Sequence, residues 1–271
     1  MKEQYKIEED AHFTAMPDYE SRNALERYYQ QRKVKFVCKA AKEMINEKCE
    51  TFVDLGSGDG LFLDFAKTFN QKMTRIGVEL GRSKCKKMQE RKHAAVCGDV
   101  EFVPLKSNSV DIAFLLDVIE HLYEPKALSE IHRILRDGGD LLLSTPNKFG
   151  VYEHKQLVSP ENFVVYPKDI WNGLKGKPRS YAPYHVKLYS YKDLSKALKE
   201  HGFTILYYRV IGFCFPFLGT VYSGFSAFKK GDVFVKKAEK ILEFFEKRLP
   251  TFSFFIIVHA RKNPSEGSVS K

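Results

Sequence analysis

The stretch Thr51-Phe-Val-Asp-Leu-Gly-Ser-Gly-Asp-Gly-Leu-Phe-Leu63 limits what this chain can fold into more than any other: a short apolar strand runs straight into a glycine turn and then a helix. Such a turn brings backbone amides against a ligand at the helix start. Gly56, Gly58 and Gly60 carry no Cβ to bar a nucleotide-like molecule and reach backbone angles that other residues avoid. A dinucleotide fingerprint counted from Gly56 or Gly58 needs glycine at 61 or 63, where the chain has leucine. NAD is therefore not expected. Glycines in a turn often serve the turn alone, so the assignment rests on the strand ends downstream of it.

A second apolar strand, Arg75-Ile-Gly-Val78, ends on Glu79, and a carboxylate at a strand's C-terminal edge can accept both hydroxyls of a ribose. Ala95-Val-Cys97 leads to Gly98-Asp99-Val100, where the carboxylate suits an adenine amino group and the next amide a ring nitrogen. Val110 to Leu116 reads as a buried strand ending at Asp117-Val-Ile-Glu120-His121, and Asp140 to Asn147 as another. Polar groups at successive strand ends fit an open α/β sheet. Asp111, at a strand's start, is expected to make a structural hydrogen bond.

The series D-L-G-S-G-D-G, V-E-L, G-D-V, D-V-I-E-H-L and L-L-L-S-T-P-N resembles the class I S-adenosylmethionine-dependent methyltransferases, in particular the type 11 and ubiquinone-biosynthesis O-methyltransferases. The resemblance covers roughly residues 34–147 and returns in the segment H-V-K-L-Y-S-Y-K-D-L-S-K-A-L-K-E-H-G-F. It implies a Rossmann-like seven-stranded sheet with helices on both faces, and S-adenosylmethionine as cofactor. It further implies that Asp54, Gly56, Gly58 and Gly60 line the methionine end, Glu79 the ribose, Asp99 and Val100 the adenine, with Asp117 beside the cofactor.

A methyl on sulfonium is already activated, so the chain has mainly to hold an acceptor atom in line and relieve it of a proton. His121, assisted by Glu120, suits that task, because histidine's ordinary pKa is about 6.5. The family members with E-x-x-E-H at this place ligate a divalent metal there. By that resemblance Asp117, Glu120, His121 and His185 form a candidate metal set. Here an aspartate, one methylene shorter, replaces the first glutamate, and helix capping explains the same residues without chemistry. Metal site, general base and cap all remain open at this level.

Composition bounds the rest. At 271 residues and 44% hydrophobic, the chain can bury a full sheet-and-helix core and is somewhat long for a minimal one. We expect a helical extension over 1–50 that folds across the cleft, with Tyr28, Tyr29 and Arg32 either near a ligand or simply packed. The cofactor half of the core occupies 51–147, a substrate lid containing His154 and Trp171 occupies 148–184, the rest of the core 185–262, and a disordered tail 263–271. No secretory signal is read at the start, and Cys38, Cys49, Cys85, Cys97 and Cys214 show no paired C-x-x-C spacing, which fits a reducing cytoplasm. Residues 211–248 combine an uncharged aromatic run with Lys229, Lys230, Lys236, Lys237 and Lys240, as peripheral contact with an anionic membrane would require, although a packed loop and a solvated basic helix explain them too. A net charge of +10 permits RNA as acceptor, but lysines spread along the chain without arginine-aromatic interleaving favour a small-molecule acceptor, at oxygen and of quinone, lipid or glycan-like character. A non-catalytic cofactor-binding scaffold is the alternative of another class.

Overall fold

In the computed structural model of the protein, residues 24–122, 126–149, 186–213 and 231–264 are described, with backbone alone for 24–27 and 231–239. Nearly all of the expected lid, with His154 and Trp171, lies outside them, as do His185, Cys214 and residues 214–230. Helix α1 (Ala24–Met44) precedes strand β1 (Thr51–Leu55), then come α2 (Leu61–Phe69), β2 (Thr74–Glu79), α3 (Arg82–Glu90), β3 (Ala94–Cys97) and β4 (Val110–Leu116). A short 3₁₀ turn, Ile119–His121, leads on to α4 (Lys126–Ile134) and β5 (Leu135–Pro146). After these lie α5 (Tyr191–Glu200), β6 (Phe203–Phe213), α6 (Gly231–Arg248) and β7 (Ser253–Lys262).

The strands form one seven-stranded sheet in the order β3-β2-β1-β4-β5-β7-β6. β1 pairs in parallel with both β2 and β4, so successive crossovers leave it in opposite directions and open a crevice beyond its carboxyl end. Only β7 runs against its neighbours, β5 and β6. Both faces are covered, which is why β4 reads as continuous apolar sequence rather than as alternation. Ile112 and Phe114 join the core under α1, α2, α3 and α6, whereas Ala113 and Leu115 join the one under α4 and α5. Asp111 accepts the amides of Glu50 and Thr51 and an Arg136 guanidinium hydrogen, the expected structural role.

The sequence reading starts the fifth strand at Asp140, yet β5 begins at Leu135, directly after α4. The strand's polar opening, Arg136-Asp-Gly-Gly, carries no alternation to reveal it. No helix among the described residues is long and apolar enough to cross a membrane.

α1 is fastened to the far end of the sheet. Arg32 gives two hydrogen bonds to the buried Glu246 of α6, at 2.6 and 3.2 Å, and Glu246 also accepts the Gly212 amide of β6 at 2.9 Å. Tyr29, fully buried, donates to the Phe213 carbonyl at 2.5 Å. Tyr29 and Arg32 are therefore packing residues. Glu246→Ala should destabilise the protein by about 2–4 kcal/mol in denaturant titrations, since it leaves the Gly212 amide without its acceptor and the Arg32 guanidinium with the more exposed Glu243 as its remaining carboxylate. Glu246→Gln should cost less, and equal losses would mean that the carboxylate's charge, rather than its shape and acceptor geometry, carries the whole interaction.

Candidate functional site

The glycine turn is held from the side by β2. Gly56 and Ser57 donate their amides to the Val78 carbonyl, and Gly58 donates to Glu79 Oε2 at 2.9 Å. The other oxygen of Glu79 accepts the Gly81 amide at 3.0 Å. Glu79 thus ties the turn after β1 to the turn after β2, and a carboxylate with two bonds keeps lone pairs for further donors. The three glycines answer different demands, although all have positive φ, at 79°, 55° and 86°. A Cβ on Gly56 would lie 2.3 Å from the Val118 side chain, and one on Gly60 would lie 2.9 Å from Met88. On Gly58 it would meet none of the described residues within 4 Å. Of the three, Gly58 is the one that the described residues leave uncrowded.

Asp54, at the end of β1, is 2% exposed, and its Oδ2 has no hydrogen-bond partner among the described residues. Burial, with the charge of Glu79 added, pushes it up to about 7. A buried carboxyl oxygen without a donor is costly, and such atoms concentrate where a ligand completes the bonding.

At the third strand's end, Asp99 turns back on itself, with Oδ1 accepting the Glu101 amide at 2.9 Å, while Val100 is buried. The Gly98 amide bonds to the Glu79 carbonyl, which keeps this turn beside the second. Leu80 and Phe102, each 71% exposed, stand on the turns after β2 and β3. Neither stands out in the sequence, because an apolar residue in a turn is conspicuous only once its exposure is seen.

Asp117 directly follows β4, with φ of 55°. Its Oδ1 accepts the Ser144 hydroxyl at 2.7 Å and its Oδ2 accepts the ammonium of Lys33 on α1. Lys33 is 7% exposed and lies 4.4 Å from the centre of the Phe255 ring. No motif marks this lysine. Its signal is position: Tyr29, Lys33, Val37, Ala40 and Met44 form the buried stripe of α1, and a lysine in an apolar stripe needs an anion opposite it.

Glu120 is 1% exposed, with Oε2 accepting the Thr145 hydroxyl at 3.0 Å, while its carbonyl takes the amides of Val186 and Lys187. His121 is exposed on the 3₁₀ turn. Asp117, Glu120 and His121 do not come together as a cation cage among the described residues. Asp117 holds the Lys33 ammonium and Glu120 is buried against Thr145, while the fourth member of the candidate metal set, His185, lies outside the described residues. A groove of about 720 Å³, lined by Tyr191, Lys199 and Tyr208 among others, lies on edge strand β6 and shares no residue with these strand ends.

Gly56→Ala should lower the melting temperature sharply, because its methyl enters the space of Val118, and Val118→Ala should recover part of that loss. Gly58→Ala should cost only about 1–2 kcal/mol, the strain of the left-handed backbone. Equal losses at 56 and 58 would remove the contact with Val118 as the cause.

A methyltransferase domain model matches residues 53–143. An uncharacterized protein of Methanocaldococcus jannaschii is 35% identical over 107 residues, 40% of this chain and 45% of that protein. The malonyl-[acyl-carrier protein] O-methyltransferase of Serratia marcescens is 31% identical over 97 residues, 35% of this chain and 38% of that enzyme. The chain thus matches less than half the length of these two relatives. A crystal structure of a SAM-dependent methyltransferase from Archaeoglobus fulgidus, 18% identical, shares the fold with a TM-score of 0.55 over 85% of this chain and 94% of that one. Sheet order, glycine turn and matched segment agree: the chain carries a class I S-adenosylmethionine-dependent methyltransferase domain.

Proposed function

We propose that the protein transfers a methyl group from S-adenosylmethionine to an oxygen of a small-molecule acceptor. The observation that carries this reading is Asp54: a buried carboxyl oxygen without a donor among the described residues, beside a glycine turn, at the carboxyl end of the strand where the crossovers diverge. That atom suits the cationic amino-acid end of the cofactor. Glu79 has lone pairs left for the ribose hydroxyls, Asp99 has Oδ2 for the adenine amino group, and Leu80 and Phe102 offer apolar surface to the ring. The cofactor supplies a methyl already activated on sulfonium. The chain's own residues hold the acceptor and take its proton, for which the exposed His121 imidazole is the group at hand. Glu120 acts through position, fixing the 3₁₀ turn from Thr145 and anchoring residues 186 and 187. The O-methyltransferase named among the relatives supports oxygen as the acceptor atom.

Calorimetry should show binding of S-adenosylmethionine and its demethylated product but not of NAD. Glu79→Ala should weaken that binding by about 1–3 kcal/mol, the cost of leaving hydroxyls without a charged acceptor. Unchanged affinity would take Glu79 out of the site. Turnover is expected to survive a chelator, and loss of activity restored by magnesium would reinstate the cation.

Asp54 gives a pH signature. Its carboxyl is raised from 3.8 to about 7, so in the ligand-free protein it favours folding at low pH and costs stability as pH climbs through that interval. A cationic ligand favours the ionised form, so binding at about pH 6 should release a proton, read as dependence of the binding enthalpy on buffer, and this should vanish by about pH 9. Asp54→Asn should abolish the dependence. Its persistence in that variant would assign the proton to another group.

Peripheral contact with an anionic membrane belongs to the same reading, supported by Ile241 and Phe244, exposed on α6 beside Lys240, Lys247 and Arg248. Vesicles rich in phosphatidylserine should sediment the protein and salt should release it. Equal sedimentation with neutral vesicles would make the helix an ordinary surface.

A further inference from the structure

Lys33 and Asp117 meet from distant parts of the chain. Asp117 is held on three sides: its backbone amide bonds to the Ser144 carbonyl at 2.9 Å, its Oδ1 takes the Ser144 hydroxyl, and its Oδ2 takes Lys33. Ser144 is fully buried and the Lys33 side chain is 9% exposed, while that of Asp117 is 32% exposed. The carboxylate therefore lies between its two donors and the cleft. Its place along the cleft is fixed too. Val118, the next residue, closes on Gly56 so tightly that no Cβ fits between them, which puts Asp117 next to the glycine turn rather than near the turns after β2 and β3.

From this geometry we infer that Lys33 is a positioning residue for the cofactor's amino-acid end, aiming Asp117 at the α-ammonium from behind. The inference rests on the cofactor assignment made above. An aspartate at φ 55° gains orientation from its donors that a flexible carboxylate would lack, and orientation matters most for a charge-assisted hydrogen bond. Lys33 itself touches no ligand in this scheme. Its ammonium rests on the Phe255 ring and on Asp117, and it leaves the cleft-facing surface to the carboxylate.

The test compares two ligands that share adenosine and differ in the amino-acid end: S-adenosylhomocysteine, which has it, and 5′-methylthioadenosine, which does not. Lys33→Met keeps the apolar stem over Phe255 and removes the charge. It should weaken S-adenosylhomocysteine about tenfold or more, the scale of one charged hydrogen bond, while 5′-methylthioadenosine changes less than about twofold. Lys33→Arg should recover much of the difference. Ser144→Ala removes the second donor without touching α1 and should produce the same selective loss, so it decides the matter if Lys33→Met fails to fold. Equal weakening of both ligands, or none, would overturn the inference and leave Lys33 a structural ion pair. If the unmodified protein binds neither ligand, the cofactor assignment itself fails, an outcome separate from a variant that loses no selectivity.

Discussion

How closely the turn after β1 can approach the turn after β4 determines the rest of the site. The two strands pair in parallel with Leu55 opposite Leu115, and the chain leaving each must then pass the other. Val118 fills the gap down to the Gly56 backbone, so glycine at 56 is a packing requirement before it is a ligand requirement. Once the turns are seated, the amides of Gly56, Ser57 and Gly58 all point at β2, two to the Val78 carbonyl and one to Glu79. The strand edge becomes a row of fixed acceptors because the backbone closes on itself there.

That row is strongly anionic. Asp54, Glu79, Asp99 and Asp117 all stand at strand ends, and Asp54 is raised by burial and by Glu79. The backbone amides of Gly58 and Gly81 offset part of the repulsion at Glu79, and Lys33 does so at Asp117. Among the described residues, nothing comparable serves Oδ2 of Asp54. A sulfonium cofactor with an ammonium group brings positive charge to a cleft of this kind, whereas a dinucleotide brings phosphates.

Much of this was legible from residues alone, for a physical reason. A parallel sheet buried on both faces writes its strands as apolar runs, and each run here stops at a polar residue that marks the strand end: Glu79, Asp99, Asp117. The division of labour among the glycines was not legible, because the uncrowded surroundings of Gly58 and the contact at Gly56 are properties of what lies opposite. The inward turn of Glu120 was hidden likewise: D-V-I-E-H looks the same whether the glutamate meets a cation or Thr145. Lys33 was half legible. A lysine in the stripe of Tyr29, Val37 and Met44 announces a buried partner, but naming that partner requires the fold.

Arg32 and Lys33 are consecutive, and they grip different parts of the molecule, Glu246 on α6 and Asp117 at the end of β4. Neighbouring residues on a helix point about 100° apart, so both grips hold in only one rotational setting of α1. Loss or gain of one residue before the helix changes only the length of chain that leads into it. The same change between Lys33 and the end of α1 turns both side chains off their partners at once, together with Tyr29. The spacing between this helix and the sheet is thus as tightly constrained as the glycine turn, although most of α1's partners and α1 itself lie outside the segment that the family model matches.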